Sequence, residues 1–203
     1  MGFAAYIKRV SPQTVTIMGG PNIPSVQQER MRFLTKYSSV DFYIKWDGEH
    51  AFANLYEQLM KFDFDIEKLK SERLGLFNCL YIAEDEELIE GENQRIQDLM
   101  SIPSPYLMGL LDKFFEQGLR PVVETTRGCP YKCTYCNDAP VIRDKVYRKT
   151  VDCIQEEFEY VASHIIHPTD MLIADLNFGM YKEDLETAKI IRGIIDKYDW
   201  PKT

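Results

Sequence analysis

Three cysteines on one short segment constrain this chain more than any other feature of its sequence. Cys129, Cys133 and Cys136 are separated by three and then by two residues, directly after the strand-like run 119–124. Thiolates are soft ligands that suit iron–sulfur clusters, and such clusters are normally held by four cysteines. A cubane bound by only three would keep one iron free of protein. The spacing therefore predicts a 4Fe-4S cluster whose open iron can bind and activate a small molecule.

Zinc binding and a disulfide are the alternatives for these cysteines. A structural zinc site usually has four protein ligands, and here the fourth could be Cys153 or His164, although neither has a short-spaced partner. A disulfide is disfavoured because the N-terminus lacks the pattern of a secretory signal. Cys79 and Cys153 lie outside the motif, and we expect both to be small buried apolar residues.

The composition is that of an ordinary globular protein with one domain or two small ones. Of the 203 residues, 45% are hydrophobic and 28% are charged. The net charge of -8 argues against a broad nucleic-acid-binding face, and no apolar run is long enough to span a membrane. Cysteines without a secretory signal are typical of a reducing compartment. We therefore expect a cytoplasmic protein without nucleic-acid or membrane partners.

The first part of the chain alternates strands and helices. The predicted order is a strand at 14–18, the pair Gly19-Gly20, a helix, a strand at 40–44, and a helix whose apolar face holds Phe52, Leu55, Leu59 and Met60. This order predicts half of a doubly wound α/β sheet. Ligands bind such sheets at the carboxyl ends of strands, where Gly19 and Gly20 lie. The alternative is that the two glycines only form a tight turn.

The later part of the chain predicts parallel strands of a (β/α) barrel. It follows a hairpin at 76–89, a proline-stiffened linker and a helix at 107–117. The barrel elements are a strand at 119–124, a helix at 151–163 that Thr150 caps, a strand at 171–174 and a helix at 182–198. Chemistry in such barrels lies at the carboxyl ends of the strands.

Polar side chains follow both predicted barrel strands. Asp175 and Asn177 come after the second strand, so they could reach a molecule bound at the cysteine loop. Alternatively, they only cap the turn into the next helix. Two roles stay open for Arg127: a charge beside the cluster that tunes its reduction potential, or an exposed cation of the loop.

Two segments resemble one family of enzymes. The segment 124–136, in which the aromatic Tyr135 precedes the third cysteine, resembles the radical S-adenosylmethionine enzymes. The segment 17–21, followed after one helix and one strand by Gly48-Glu49, resembles the C-terminal half of the cobalamin-binding domain that many of those enzymes carry. His50-Ala51 departs from the family, which has a second acidic residue there. The front half of that domain would precede Met1, so we expect a fragment.

The resemblance implies the cofactors and the residues that hold them. In the family the open iron takes the amino and carboxylate groups of S-adenosylmethionine, whose reductive cleavage gives methionine and a 5′-deoxyadenosyl radical. Carried over to this chain, the cluster ligands are Cys129, Cys133 and Cys136. The same carry-over assigns Tyr135, Asp175 and Asn177 to S-adenosylmethionine, and Gly19 and Gly20 to the nucleotide tail of cobalamin.

The resemblance also implies a function and a domain plan. The expected activity is that of a cobalamin-dependent radical methyltransferase acting on a small molecule, with a one-electron reductant such as flavodoxin or ferredoxin. The alternatives are a non-methylating rearrangement or cyclisation and a non-catalytic metal-binding module. Residues 1–75 are predicted to form the rear of the cobalamin domain, 76–118 a hairpin and linker helix, and 119–203 the start of the barrel. We expect this length of chain to lack turnover.

Overall fold

The computed structural model describes residues 2–136, 145–167 and 170–202. The chain divides into two compact units, and the division falls between Ile96 and Gln97. Each unit combines helices with at least one pair of parallel strands, which confirms the predicted α/β class. This division lies inside the predicted linker segment 76–118. The functions assigned to the three predicted segments stay predictions. Among the helices of the described residues, none is long and apolar enough to cross a membrane.

The first unit contains a four-stranded mixed sheet with the order β1-β2-β3-β4. Its elements are α1 Gly2–Val10, β1 Ile17–Gly19, α2 Gln27–Lys36, β2 Phe42–Ile44, α3 Glu49–Lys61, α4 Ile66–Ser71, β3 Cys79–Ile82 and β4 Leu88–Glu90. Strands β1 and β2 are parallel, as the strand–helix–strand order predicts. The predicted hairpin, β3–β4, adds to the same sheet because β3 pairs antiparallel with β2.

The core of the first unit corrects the predicted face of α3. Leu55 and Leu59 are buried as predicted, whereas Phe52 and Met60 are 50% and 48% exposed. The third buried position on this helix is Ala51, so the inward residues repeat every four positions. The prediction favoured the large apolar side chains, but the small Ala51 side chain packs more closely against the sheet than Phe52 does.

The second unit contains two separate strand pairs. Its elements are a 3-10 turn at Leu99–Ser101, α5 Asp112–Phe115, β5 Val122–Val123, β6 Thr126–Arg127, β7 Tyr147–Arg148, α6 Val151–His164, β8 Leu172–Ile173 and α7 Asp184–Tyr198. Strands β5 and β8 are parallel, and α6 lies between them in sequence, as a barrel requires. The predicted strand 119–124 is shorter in the structure, where only β5 falls within it. Strand β6 begins two residues after its predicted end and pairs antiparallel with β7.

Helices α6 and α7 carry the core of the second unit. The side chain of Thr150 accepts a hydrogen bond from the backbone N–H of Cys153, which confirms the predicted cap of α6. Phe158 and Val161 of α6 are buried and pack with Ile194 of α7. The predicted helix at 107–117 is shorter, since only α5 is helical there. The core of the second unit packs against β5 and β8, and the ends of these two strands position the candidate site.

Candidate active site at the cysteine loop

Two short strands hold the base of the cysteine loop. Strands β6 and β7 pair Thr126 with Arg148 and Arg127 with Tyr147, so the chain leaves and re-enters the same ladder. Gly128 begins the loop with φ +110°, and a Cβ atom there would lie 1.9 Å from the carbonyl oxygen of Lys145. Only glycine combines that conformation with so close a backbone approach. The two ends of the loop are therefore tied together.

The three thiols lie on the outer part of this loop. Cys129 and Cys133 are partly exposed and Cys136 is exposed, and all three are free thiols. The backbone N–H of Cys136 donates to the carbonyl of Cys133 at 3.0 Å, which makes a turn between them. Across residues 2–136, 145–167 and 170–202, no three His, Cys, Asp or Glu side chains are arranged to hold a metal ion. The donor chemistry, three accessible thiols on one loop, nevertheless fits an iron–sulfur cluster.

The remaining cysteines and His164 have other surroundings. Cys79 is 1% exposed, and burial raises the pKa of its thiol to about 12, so it is the buried apolar residue that was expected. Cys153 is only partly buried, which corrects that expectation for α6. The ring of His164 stacks on Tyr160 at 4.0 Å, and its Nδ1 lies 2.8 Å from the carbonyl oxygen of Tyr160. His164 thus packs along its own helix.

Asp175 joins the end of β8 to the end of β5. Its carboxylate accepts hydrogen bonds from the backbone N–H groups of Thr125 at 2.7 Å and Thr126 at 3.1 Å. It also accepts one from the hydroxyl of Thr125. Both carboxylate oxygens therefore bind the segment that leads into the cysteine loop. The bonds cross between two parallel strands, which a simple turn cap does not do.

Asn177 and Tyr135 have polar groups that the protein does not fully engage. The Nδ2 atom of Asn177 is buried, and it has no hydrogen-bond partner among the described residues. Tyr135 is 88% exposed. A hydrogen bond with Cys133, followed by the charge of that thiol, raises the pKa of Tyr135, so the phenol lies beside the cysteines. Both side chains are free to contact a bound molecule.

Arg127 is neither an exposed cation nor an unpaired charge. Its Nε lies 3.0 Å from Oε1 of Glu124, and its Nη2 lies 2.6 Å from Oε2 of the same carboxylate. This two-point ion pair spans the start of β6 and leaves only 18% of the arginine side chain exposed. The pair stiffens the entry to the loop.

Three further residues next to the base of the loop were not predicted from the sequence: Arg148, Tyr181 and Asp184. The Nη1 atom of Arg148 lies 2.7 Å from Oδ1 of Asp184, and the guanidinium lies 4.6 Å from the ring centroid of Tyr181. The other oxygen of Asp184 accepts backbone N–H groups from Gly179 at 2.9 Å and Tyr181 at 3.0 Å. Their positions in the sequence could have pointed to them, since Arg148 lies where the chain returns from the loop and Asp184 is the first residue of α7.

The double glycine of the first unit forms a separate tight structure. Gly20 has φ +111°, and its backbone N–H donates to the carbonyl of Ile44 at 3.1 Å. The hydroxyl of Tyr43 donates to the carbonyl of Gly20, also at 3.1 Å. A Cβ atom at Gly19 would lie 3.1 Å from the oxygen of Ile44. The end of β1 is therefore bare backbone fixed against β2.

Comparison with characterised proteins identifies the relatives of this chain. No protein-family model matches it. It is 30% identical over 196 residues to the cobalamin-dependent radical SAM methyltransferase TokK of Streptomyces tokunonensis. The chain is a relative of cobalamin-dependent radical S-adenosylmethionine enzymes. The resemblance predicted from the sequence is thereby confirmed. The alignment with TokK covers 93% of this chain and 27% of TokK.

Two solved structures show the same fold. The cobalamin-dependent S-adenosylmethionine radical enzyme OxsB, with aqua-cobalamin and S-adenosylmethionine bound, has a TM-score of 0.61 and 21% identity. The match covers 96% of this chain and 26% of OxsB. The radical S-adenosylmethionine methyltransferase TsrM of Kitasatospora setae, with cobalamin and a [4Fe-4S] cluster bound, has a TM-score of 0.59 and 14% identity over 97% of this chain and 36% of TsrM. The chain thus spans about a quarter to a third of each of these proteins.

Proposed function

We propose that this chain provides the cofactor-binding elements of a cobalamin-dependent radical S-adenosylmethionine methyltransferase. The observation that carries the proposal is the loop of three free thiols, which Gly128 closes at its base and which lies in sequence between the parallel strands β5 and β8. Similarity to TokK, a methyltransferase, favours methyl transfer as the reaction. Because the chain covers about a quarter of TokK, the activity is proposed for the whole protein.

The cysteine loop would hold the cluster. Cys129, Cys133 and Cys136 supply three thiolates, and their exposure leaves room for a metal centre at the surface of this unit. When bound, the cluster supplies the electron that cleaves S-adenosylmethionine to methionine and a 5′-deoxyadenosyl radical, and cobalamin supplies the methyl group. The role of the protein is to bind and orient these cofactors.

The strand ends would orient S-adenosylmethionine. Asn177 offers a buried Nδ2 donor without a protein partner, and Tyr135 offers an exposed aromatic ring beside Cys133. Asp175 belongs to the same site, and it acts through Thr125 and Thr126 by fixing the backbone that enters the loop. In the first unit, the bare backbone at Gly19 and Gly20 would admit the nucleotide tail of cobalamin.

The proposed partners follow from the chemistry. The reaction needs a small-molecule substrate and a one-electron reductant such as flavodoxin or ferredoxin, and an oxygen-sensitive cluster favours the cytoplasm. Residues 1–75 are proposed as the cobalamin-domain part, 76–118 as the hairpin and linker, and 119–203 as the barrel part. The strands that would close the barrel around the radical belong to the part of TokK that this chain does not cover, so we expect this chain alone to give no measurable 5′-deoxyadenosine.

Anaerobic reconstitution with iron and sulfide tests the proposal. We expect about four irons per chain, an absorption band in the visible range, and a spectral change on adding S-adenosylmethionine. Cys133→Ala should abolish the cluster. Cys153→Ala is the matched control, because Cys153 is a partly exposed thiol outside the loop, and it should keep the full iron content. A colourless protein that binds one zinc and no sulfide would overturn the proposed function.

A non-methylating radical reaction is the second candidate. The shared fold with OxsB, a cobalamin-dependent S-adenosylmethionine radical enzyme, is compatible with it, because these cofactors support radical reactions other than methyl transfer. The two candidates differ in the fate of one carbon atom. With the whole enzyme and S-adenosylmethionine labelled in its methyl group, methyl transfer predicts label in the product, whereas a rearrangement or cyclisation predicts none.

A further inference from the structure

Two buried polar atoms beside the cysteine loop have no protein partner. Among the described residues, Nη2 of Arg148 and the hydroxyl of Tyr181 are both buried without a hydrogen bond. Arg148 lies on β7, which closes the loop, and Tyr181 lies on the segment between β8 and α7. An unsatisfied buried donor costs free energy, so native structures rarely keep one unless a ligand or water satisfies it. Two such atoms from neighbouring elements indicate a missing acceptor.

Asp184 fixes both donors in place. Its carboxylate pairs with Nη1 of Arg148 and accepts the backbone N–H of Tyr181, so one buried group holds both residues. The guanidinium also lies over the Tyr181 ring at 4.6 Å. The Asp184 side chain is only 4% exposed. The orientation of the two free donors is therefore set before any ligand binds.

The cysteine loop is the neighbouring source of acceptors. Burial raises the pKa of Tyr181, and next in size come the charges of Tyr131 and Cys129, both on the loop. The geometry agrees, because Arg148, which lies over the Tyr181 ring, is on β7, and β7 pairs with β6 two residues before Cys129. Thiolate and sulfide atoms of an iron–sulfur cluster accept hydrogen bonds, and such bonds set its reduction potential.

We propose that Arg148 and Tyr181 are positioning residues that donate hydrogen bonds to the sulfur atoms of the cluster on its Cys129 side. This inference rests on the proposed function, because it needs a cluster on the loop. A hydrogen bond to sulfur stabilises the more negative, reduced cluster over the oxidised one. The two residues would therefore raise the reduction potential of the cluster without ligating it.

A redox titration of the reconstituted chain, followed by its visible and electron paramagnetic resonance spectra, tests the inference. Tyr181→Phe removes the hydroxyl and keeps the ring under Arg148. We expect unchanged iron content but a lower potential, with the ratio of reduced to oxidised cluster falling about tenfold at fixed potential, or about 59 mV for one electron. Tyr198→Phe is the control, since Tyr198 lies at the far end of α7, and it should leave the potential unchanged.

A second variant, at Arg148, separates hydrogen-bond donation to the cluster from the packing of the side chain. Arg148→Lys keeps the charge that pairs with Asp184 but removes the second nitrogen, so it should also lower the potential while the iron content stays high. An unchanged potential in Tyr181→Phe, with a full cluster in the unsubstituted chain, would overturn this inference and leave the proposed function standing. Failure of the unsubstituted chain to bind a cluster would overturn both.

Discussion

The glycine loop after β1 and the cysteine loop after β6 are built in opposite ways. In the glycine loop, the contacts run through backbone atoms of Gly20 and Ile44 and through the buried Tyr43. In the cysteine loop, the base is fixed at Gly128, but the side chains that characterise the loop face outward, Tyr135 and Cys136 among them. The described contacts of the glycine loop join its backbone to β2, whereas those of the cysteine loop are made at its base.

This difference matches what each loop is proposed to bind. A loop that meets its ligand through bare backbone needs its conformation fixed by the fold, since backbone groups cannot adjust as side chains do. A loop whose thiols ligate a metal centre obtains part of its conformation from the metal, because binding and local folding are coupled. If both proposals hold, the glycine loop is a preformed site and the cysteine loop is a site that its cofactor completes.

The largest effect is expected at the base of the cysteine loop. Gly128→Ala places a Cβ atom 1.9 Å from the oxygen of Lys145 at a positive φ. We expect a loss of about 2 kcal/mol or more in the free energy of unfolding, measured by urea denaturation, and a loss of reconstituted iron. The control is Gly193→Ala on α7, where the new methyl group meets open space and should not destabilise the chain. A stable, iron-loaded Gly128→Ala variant would show that the base need not be tight.

The next effect concerns the link between the two barrel strands. Asp175→Asn replaces the charged acceptor of three hydrogen bonds from Thr125 and Thr126. We expect a loss of about 1.5–3 kcal/mol, the usual worth of hydrogen bonds to a charged group, in urea denaturation. Asp170→Asn is the control, because Asp170 pairs with Arg120 at an exposed site and should change stability little. Equal effects for both variants would contradict the assigned role of Asp175.

A smaller effect is expected in the glycine loop. Gly20→Ala keeps a positive φ but meets no atom within 4 Å, so the cost is conformational only. We expect a loss of about 1–2 kcal/mol in urea denaturation, with the iron content of the reconstituted chain unchanged because Cys129, Cys133 and Cys136 lie in the other unit. Loss of iron in this variant would show that the two loops depend on each other, which would contradict the separate construction described above.

The smallest effect is a dependence on pH at Asp184. Burial acts to raise the pKa of this carboxyl, but hydrogen bonds from Arg148, Tyr181 and Gly179 outweigh burial, and the net pKa is lowered. The stabilisation is complete above the unfolded-state pKa, about 3.9, and it is lost as the pH falls through the lower folded value. Urea denaturation should show a stability that declines below about pH 4. Asp184→Asn should decline less over the same range, and parallel curves would refute the assignment.

Local patterns predicted much of the fold correctly. The Thr150 cap, the helix α6 and the parallel pair β1–β2 follow from capping chemistry and hydrophobic periodicity. The predicted strand 119–124 is reduced to β5, and β6 follows as a separate strand with another partner, because strand pairing is decided by distant segments. For the same reason, the sequence reading left the role of Asp175 open between two alternatives, whereas its three hydrogen bonds depend on where β5 and β8 meet.

The sequence by itself determined the chemistry of the three thiols, the α/β class and the resemblance to cobalamin-dependent radical S-adenosylmethionine enzymes. These depend on residue identity and on short spacings, which the chain carries in any conformation. Only the tertiary structure brought Arg148, Tyr181 and Asp184 together beside Cys129. Those residues are up to 55 positions apart, and they meet because the β6–β7 pairing and the β5–β8 pairing bring distant segments of the chain together.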